Sequence, residues 1–213
     1  LQVEYAEKTV RLGSSSLGMV CADGVFIIAD KRTEDKLIVK QSANKIFEID
    51  EHIILSAAGI TSDARVLIER AQVLAQQHRV TYDTPVEPEL IIKDLSNIKQ
   101  QFTQYGGARP YGVSIMLAGV NENKAELFAS DVTGNYFGYY ANAIGENDEK
   151  IKDKLRERYK REFTIKKGIK LALDIFKEIQ GDKFDIDRFE LCSLDKNAGK
   201  IHRTEGEKIK ELI

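Results

Sequence analysis

Residues 9–19 read TVRLGSSSLGM, which sets Ser14, Ser15 and Ser16 between two glycines just ahead of an apolar, β-branched run. A hydroxyl on the edge of a strand can act as a nucleophile if a base stands beside it. The serine elbow, G-x-S-x-G on a strand-to-helix turn, does not fit: in Gly13-Ser14-Ser15-Ser16-Leu17-Gly18 the second glycine comes one place too late, and the strand–helix alternation such an elbow needs is missing. A phosphate loop places its glycines ahead of a helix, whereas this stretch leads into a strand. The remaining chemistry is an N-terminal nucleophile whose own α-amine serves as base, which requires the hydroxyl residue to be the first of the mature chain. Ser14 instead follows a helix-forming segment, so with that segment attached it has no free amine.

Other chemistry-bearing residues are scattered. His52, His78 and His202 lack ligand spacing, and nothing marks any of them as a base. Cys21 and Cys192 sit in apolar runs, where a free thiol behaves as a small buried hydrophobe; a disulfide between them stays open. The run DKFDID (182–187) lacks the loop glycine and closing glutamate of an EF-hand and reads as a solvated turn. No metal and no cofactor is expected.

The elements that position these residues follow from periodicity. With 213 residues, 42% hydrophobic and 31% charged, the chain is expected to form one domain over 1–213. No segment approaches the roughly 18 consecutive apolar residues of a membrane span. Thirty-two basic against 34 acidic side chains give a net charge of −2, which excludes field-driven binding to nucleic acid or an anionic membrane. Residue 1 is leucine and no signal peptide is visible, so the sequence is expected to begin inside a longer, cytoplasmic product.

Val3, Ala6 and Val10 predict a short helix stopping at Gly13. Strands are predicted for SLGMVCA and VFIIADKR around Asp23-Gly24, for KIFEID and HIILSAAG, for VSIMLAGV and AELFASD, for NYFGYYANAIG as one strand, and for RFELCSLD and KIHRT as a final hairpin. Thr61 or Ser62 is expected to cap a helix carrying Ala64, Leu67, Ile68, Ala71, Leu74 and Ala75, and Ile91 to Tyr105 form a second helical stripe. Two more helices follow, through Ile151 to Tyr159 and Ile165 to Ile179, with EGEKIKELI as a charged terminal helix. The order predicts an α+β fold, a four-layer α/β/β/α sandwich of two antiparallel sheets flanked by helices.

The motifs LQVEYAEKTVRLGSSSLGM, GVFIIADKR, KIFEIDEHI, AAGITSDARVLIERA and above all FTQYGGARPYGVS, here with Phe102 where the family has tyrosine, resemble the α-type subunits of the 20S proteasome over nearly the whole chain. The motifs resemble archaeal and eukaryotic α subunits more than their β partners, and an archaeal form is expected. The resemblance implies an N-terminal-nucleophile hydrolase fold without catalysis by this chain. In related β subunits a threonine stands where Ser14 stands here, with an acidic residue and a lysine matching Asp30 and Lys45.

It further implies a seven-membered α ring on proteasome β subunits, admitting unfolded polypeptide and docking the C-terminal tails of an activator ATPase. Lys45, Gly59 and Ile60 match the activator-tail pocket, with Ile60 where leucine is usual. Tyr105, Gly106 and Gly107 match the pore loop, while Arg109, Pro110 and Tyr111 read as structural. Glu4 and Tyr5 match the support of the gate, whose own N-terminal segment lies outside this sequence. AIGENDEKI lacks a second glycine the family often has, so the following helix is expected to start differently. The alternative implied by the same fold is an active β-type peptidase using Ser14 after processing.

Overall fold

The computed structural model describes residues 1–213 except Glu34, Gly106, Gly107 and Ala198. In chain order the elements are α1 (Gln2–Leu12), β1 (Ser16–Cys21), β2 (Gly24–Asp30), β3 (Ile46–Asp50), β4 (Ile53–Gly59), α2 (Thr61–Tyr82), α3 (Pro88–Gln104), β5 (Val113–Asn121), β6 (Lys124–Ser130), β7 (Tyr136–Gly138), β8 (Ala141–Ile144), α4 (Asp148–Arg158), α5 (Ile165–Gln180), β9 (Phe189–Asp195) and β10 (Ile201–Glu205). Two five-stranded antiparallel sheets result, in the orders β10-β9-β2-β1-β8 and β3-β4-β5-β6-β7.

Three apolar clusters separate four layers. One lies between the β1-containing sheet and α4 and α5, one between the β4-containing sheet and α2 and α3, and one between the sheets themselves. The unbroken run VFIIA is explained by this sandwiching: Phe26 and Ile28 face the helix layer, while Val25, Ile27 and Ala29 face the other sheet. The four-layer α+β sandwich is the architecture the periodicity predicts.

Three elements differ from the sequence reading. Residues 135–145 are not one strand, because Tyr139 N donates to Leu127 O of β6 (2.8 Å) while Tyr140 O accepts from Val20 N of β1 (2.7 Å). Two adjacent residues thus bond to different sheets, and the chain changes layer between β7 and β8. Neither Thr61 nor Ser62 caps α2: Ile60 occupies the N-cap and no side chain caps it. Residues Gly206–Leu212 wind as 3-10 rather than α-helix. The first hairpin does turn at Asp23, yet Cys21 pairs with Gly24, so the two-residue loop is Ala22-Asp23. Gly24 serves packing instead, since a Cβ there would meet Leu194 O at 2.0 Å.

Candidate functional site

Ser14, Ser15 and Ser16 lie where α1 hands over to β1, and each is buried. Ser15 Oγ donates to Glu146 O (2.5 Å), and Ser16 Oγ and Ser56 Oγ stand 2.6 Å apart, bridging the two sheets. Ser14 Oγ is buried with no hydrogen-bond partner. The preceding peptide is fixed from both sides: Gly13 N donates to Val10 O (2.9 Å) and Gly13 O accepts from Glu146 N (2.8 Å). Above it α1 inserts Ala6 and Val10 into the inter-sheet cluster. Ser14 nitrogen is therefore a peptide nitrogen inside the fold, without the basic lone pair an N-terminal nucleophile uses.

Of the two groups matched to such a nucleophile, Asp30 and Lys45, only the Asp30 side chain is engaged otherwise. Asp30, at the end of β2, accepts from Arg188 Nη2 (2.8 Å) and Gln180 Nε2 (3.0 Å) through Oδ2, and from Arg32 N (2.9 Å) through Oδ1. Lys45 enters β3, its backbone N–H donating to the fully buried Glu190 (2.6 Å), which also accepts from Ile46 N (2.6 Å) and Arg203 Nη1 (3.0 Å). Burial pushes the Glu190 carboxyl up against these hydrogen bonds, and burial lowers the Lys45 ammonium against the attraction of Asp30, with Arg32 opposing it. Among the described residues the Lys45 side chain makes no hydrogen bond or ion pair, although the residue is half-buried.

Gly59 closes β4. The register Ile46↔Ser56 places it at the same end of the strand pair as Lys45. Its φ is +128° and a Cβ would meet Gly112 O at 2.1 Å, so the fold itself requires glycine there. Ile60 N donates to that same Gly112 O (2.9 Å). The Ile60 side chain lines an apolar cleft of about 500 Å³ with Tyr5, Ala6, Arg109 and Pro110. The structure thus brings Ile60 and Tyr5 together in one cleft, and that cleft does not include Lys45. Tyr5 is 75% exposed and Glu4 is exposed beside it on α1. Tyr105, at the end of α3, is exposed; Gly106 and Gly107 lie outside the described residues.

One contact at this cleft was not singled out from the sequence. Arg109 forks onto Asp63, Nη1 to Oδ2 and Nη2 to Oδ1 at 2.8 Å each, and Gly112 N also donates to Asp63 Oδ2 (2.9 Å). The Arg109 hydrogen bonds hold the Asp63 carboxyl below its ordinary pKa against burial, with Gly112 assisting. Acidic residue and arginine, 46 positions apart, carry no local signal of pairing; the only hint is an aspartate in the first turn of a helix.

Two of the histidines make contacts within the fold, and His202 is exposed on β10. His52 Nε2 meets Val86 O at 2.7 Å, and His78 packs on Tyr82 with ring centroids 4.7 Å apart. Cys21 and Cys192 are buried free thiols whose pKa burial pushes up to about 12, which settles the open disulfide question. Among the described residues no three His, Cys, Asp or Glu side chains converge as a metal site, and no helix is long and apolar enough to cross a membrane.

A sandwich of two five-stranded antiparallel sheets flanked by helices, of N-terminal-nucleophile hydrolase type, defines the class. Residues 10–194 match the family model described as proteasome subunit. Over 212 residues, all of this chain, it is 37% identical to the proteasome subunit alpha of Methanocaldococcus jannaschii, covering 81% of that protein, and 36% identical to that of Methanopyrus kandleri, covering 85%. It is 44% identical over 172 residues, 81% of this chain, to the proteasome subunit alpha of Thermococcus sibiricus, covering 66% of it. The chain belongs to the proteasome subunit family, as an archaeal-type α subunit of the 20S particle.

Proposed function

We propose that residues 1–213 act as one domain of a non-catalytic α-ring subunit, which associates with six further copies, seats on proteasome β subunits in the cytoplasm and gates the admission of unfolded polypeptide. Activator ATPase tails dock beside Lys45, Gly59 and Ile60; Glu4 and Tyr5 support the gate; and Tyr105 to Gly107 line the opening. The observation that carries the docking reading is Lys45: a half-buried ammonium, without a partner among the described residues, at the same strand end as Gly59. Such a group offers a charge-assisted hydrogen bond to a terminal carboxylate. The Gly59 requirement is internal to the fold, so the tail reads Lys45 and the neighbouring surface rather than a gap left by the glycine.

The test is Lys45→Ala in α subunits assembled with β subunits, followed through peptide hydrolysis with and without an activator-tail peptide. Truncating one partner of such a charge pair costs about 2–5 kcal/mol, so stimulation by the tail is expected to vanish while basal hydrolysis and the urea midpoint hold. Stimulation equal to wild type in Lys45→Ala would remove Lys45 from the docking site.

A further inference from the structure

Between β2 and β3 the chain presents Leu37, Ile38 and Val39 in succession, 92%, 44% and 67% exposed, flanked by the exposed Lys36 and Lys40. The presentation is held locally: Leu37 N donates to Asp35 Oδ1 (2.8 Å), and Ser42 donates to Val39 O from both N (2.9 Å) and Oγ (2.6 Å). A single exposed aliphatic residue is ordinary, but three together on a fixed loop form a patch that water covers poorly. The loop runs toward β3, an edge strand, and at its base Lys31 Nζ reaches Glu205 of β10, the edge of the other sheet (3.5 Å). It therefore belongs to one flank of the sandwich.

The opposite flank ends in β7 and β8. There a cleft of about 310 Å³ opens between α1, the β6–β7 turn and the start of α4, walled by Val132, Ile144 and the 65% exposed Phe137. Four carboxylates, Glu7, Asp131, Asp148 and Glu149, line it against two cations, Arg11 and Lys152, and Lys152 is already occupied by Asp148 (3.7 Å) and Glu149 (3.5 Å). Asn142, only 4% exposed, lines the cleft without a hydrogen-bond partner for its carboxamide among the described residues. A carboxamide reached from a cleft and not engaged within its own fold can take a polar group presented there.

We propose that the Lys36–Lys40 loop of one copy seats in this cleft of a second copy, the aliphatic residues against Phe137 and Val132, the lysines against the carboxylates, and a loop backbone group on Asn142. This rests on the ring reading above and names its contact. Knob and hole lie on opposite flanks, so two copies cannot satisfy both surfaces of each other by a two-fold axis. Head-to-tail contacts of this kind close into a ring or continue as a filament. Charge is complementary, two lysines meeting a cleft with an excess of two acids.

The experiment uses the chain with Val39→Cys and Phe137→Cys together, treated with a short bis-maleimide after native mass spectrometry of the wild type. The native thiols are buried, so a covalent ladder up to the assembled size is expected in the double variant and none in either single variant. Lys36→Glu with Lys40→Glu is expected to raise the concentration of half-dissociation about tenfold or more, and adding Glu149→Lys to restore part of it. If the wild type assembles but the double variant yields no ladder, or if assembly is indifferent to the loop reversal, this contact is overturned while the ring reading stands. A wild-type chain monomeric at all concentrations overturns both.

Discussion

Lys99 lies wholly inside the layer between α3 and the β4-containing sheet, and no carboxylate comes within ion-pair distance among the described residues. Its ammonium donates to Asp131 O (3.0 Å), Ser130 O (3.3 Å) and Ser130 Oγ (3.3 Å), so three neutral acceptors meet three donors. Burial lowers its pKa from 10.5 to about 7, with the Asp131 charge pulling the other way. A lysine depressed in the fold is more protonated in the unfolded chain between these two values, so stability rises with pH across that window and is flat below it. The expected slope is up to about 1.4 kcal/mol per pH unit, read from urea midpoints between pH 7.5 and 9.5. Lys99→Met should abolish the slope; a slope unchanged in that variant would assign it elsewhere. The residue was legible in part, because Lys99 falls seven positions after the buried Ile92 and four after Leu95, on the apolar stripe of α3. What the stripe could not show is the turn at 130–131 that supplies the oxygens.

At the scale of elements, the joint between α2 and the approach to β5 rests on Asp63. Its carboxylate takes both arms of Arg109 and the N–H of Gly112, while Gly112 O accepts from Ile60 N, so one carboxylate fixes a floor for the cleft that Tyr5 and Ile60 share. Asp63→Ala leaves the Gly112 N–H buried and unpaired, a loss of about 1–3 kcal/mol in denaturant unfolding. Faster amide exchange at Gly112 and Ile60 is expected with it, and unaltered exchange would show that the loop holds by packing alone. The helices were legible from spacing because each has one apolar face against one layer, and the central strands from nearly unbroken apolar runs because each is buried on both faces. The segment 135–145 was not, since alternation continues across Tyr139 and Tyr140 although their backbone groups bond to different sheets. A change of layer leaves the local pattern intact, so periodicity reads through it. The start of α4 shows the converse: Asn147 takes φ +60° at the N-cap, a conformation asparagine tolerates, so the helix begins without the extra glycine.

For the whole molecule, the question is whether the sandwich is an enzyme merely covered or one whose machinery is committed elsewhere. α1 closes the end of the two sheets, with Ala6 and Val10 in the shared cluster and Gly13 tied to Glu146. Removing residues 1–13 would give Ser14 a free amine, yet the Asp30 carboxylate would still be held by Arg188, Gln180 and the Arg32 backbone, and Lys45, free of partners among the described residues, would still make no ion pair with it. Arg32 and Glu146, paired across the same end, add a further charged bridge beside the serines. Uncovering the serine therefore supplies a base without the arrangement that makes it useful, since proton transfer depends first on geometry. The truncated chain is expected to lose about 2–4 kcal/mol of stability from the apolar contacts of α1 and to hydrolyse no peptide substrate above the level of its Ser14→Ala counterpart. Hydrolysis that requires Ser14 would mean that α1 alone silences the fold, and the relation between catalytic and non-catalytic sandwiches would reduce to whether one helix stays attached.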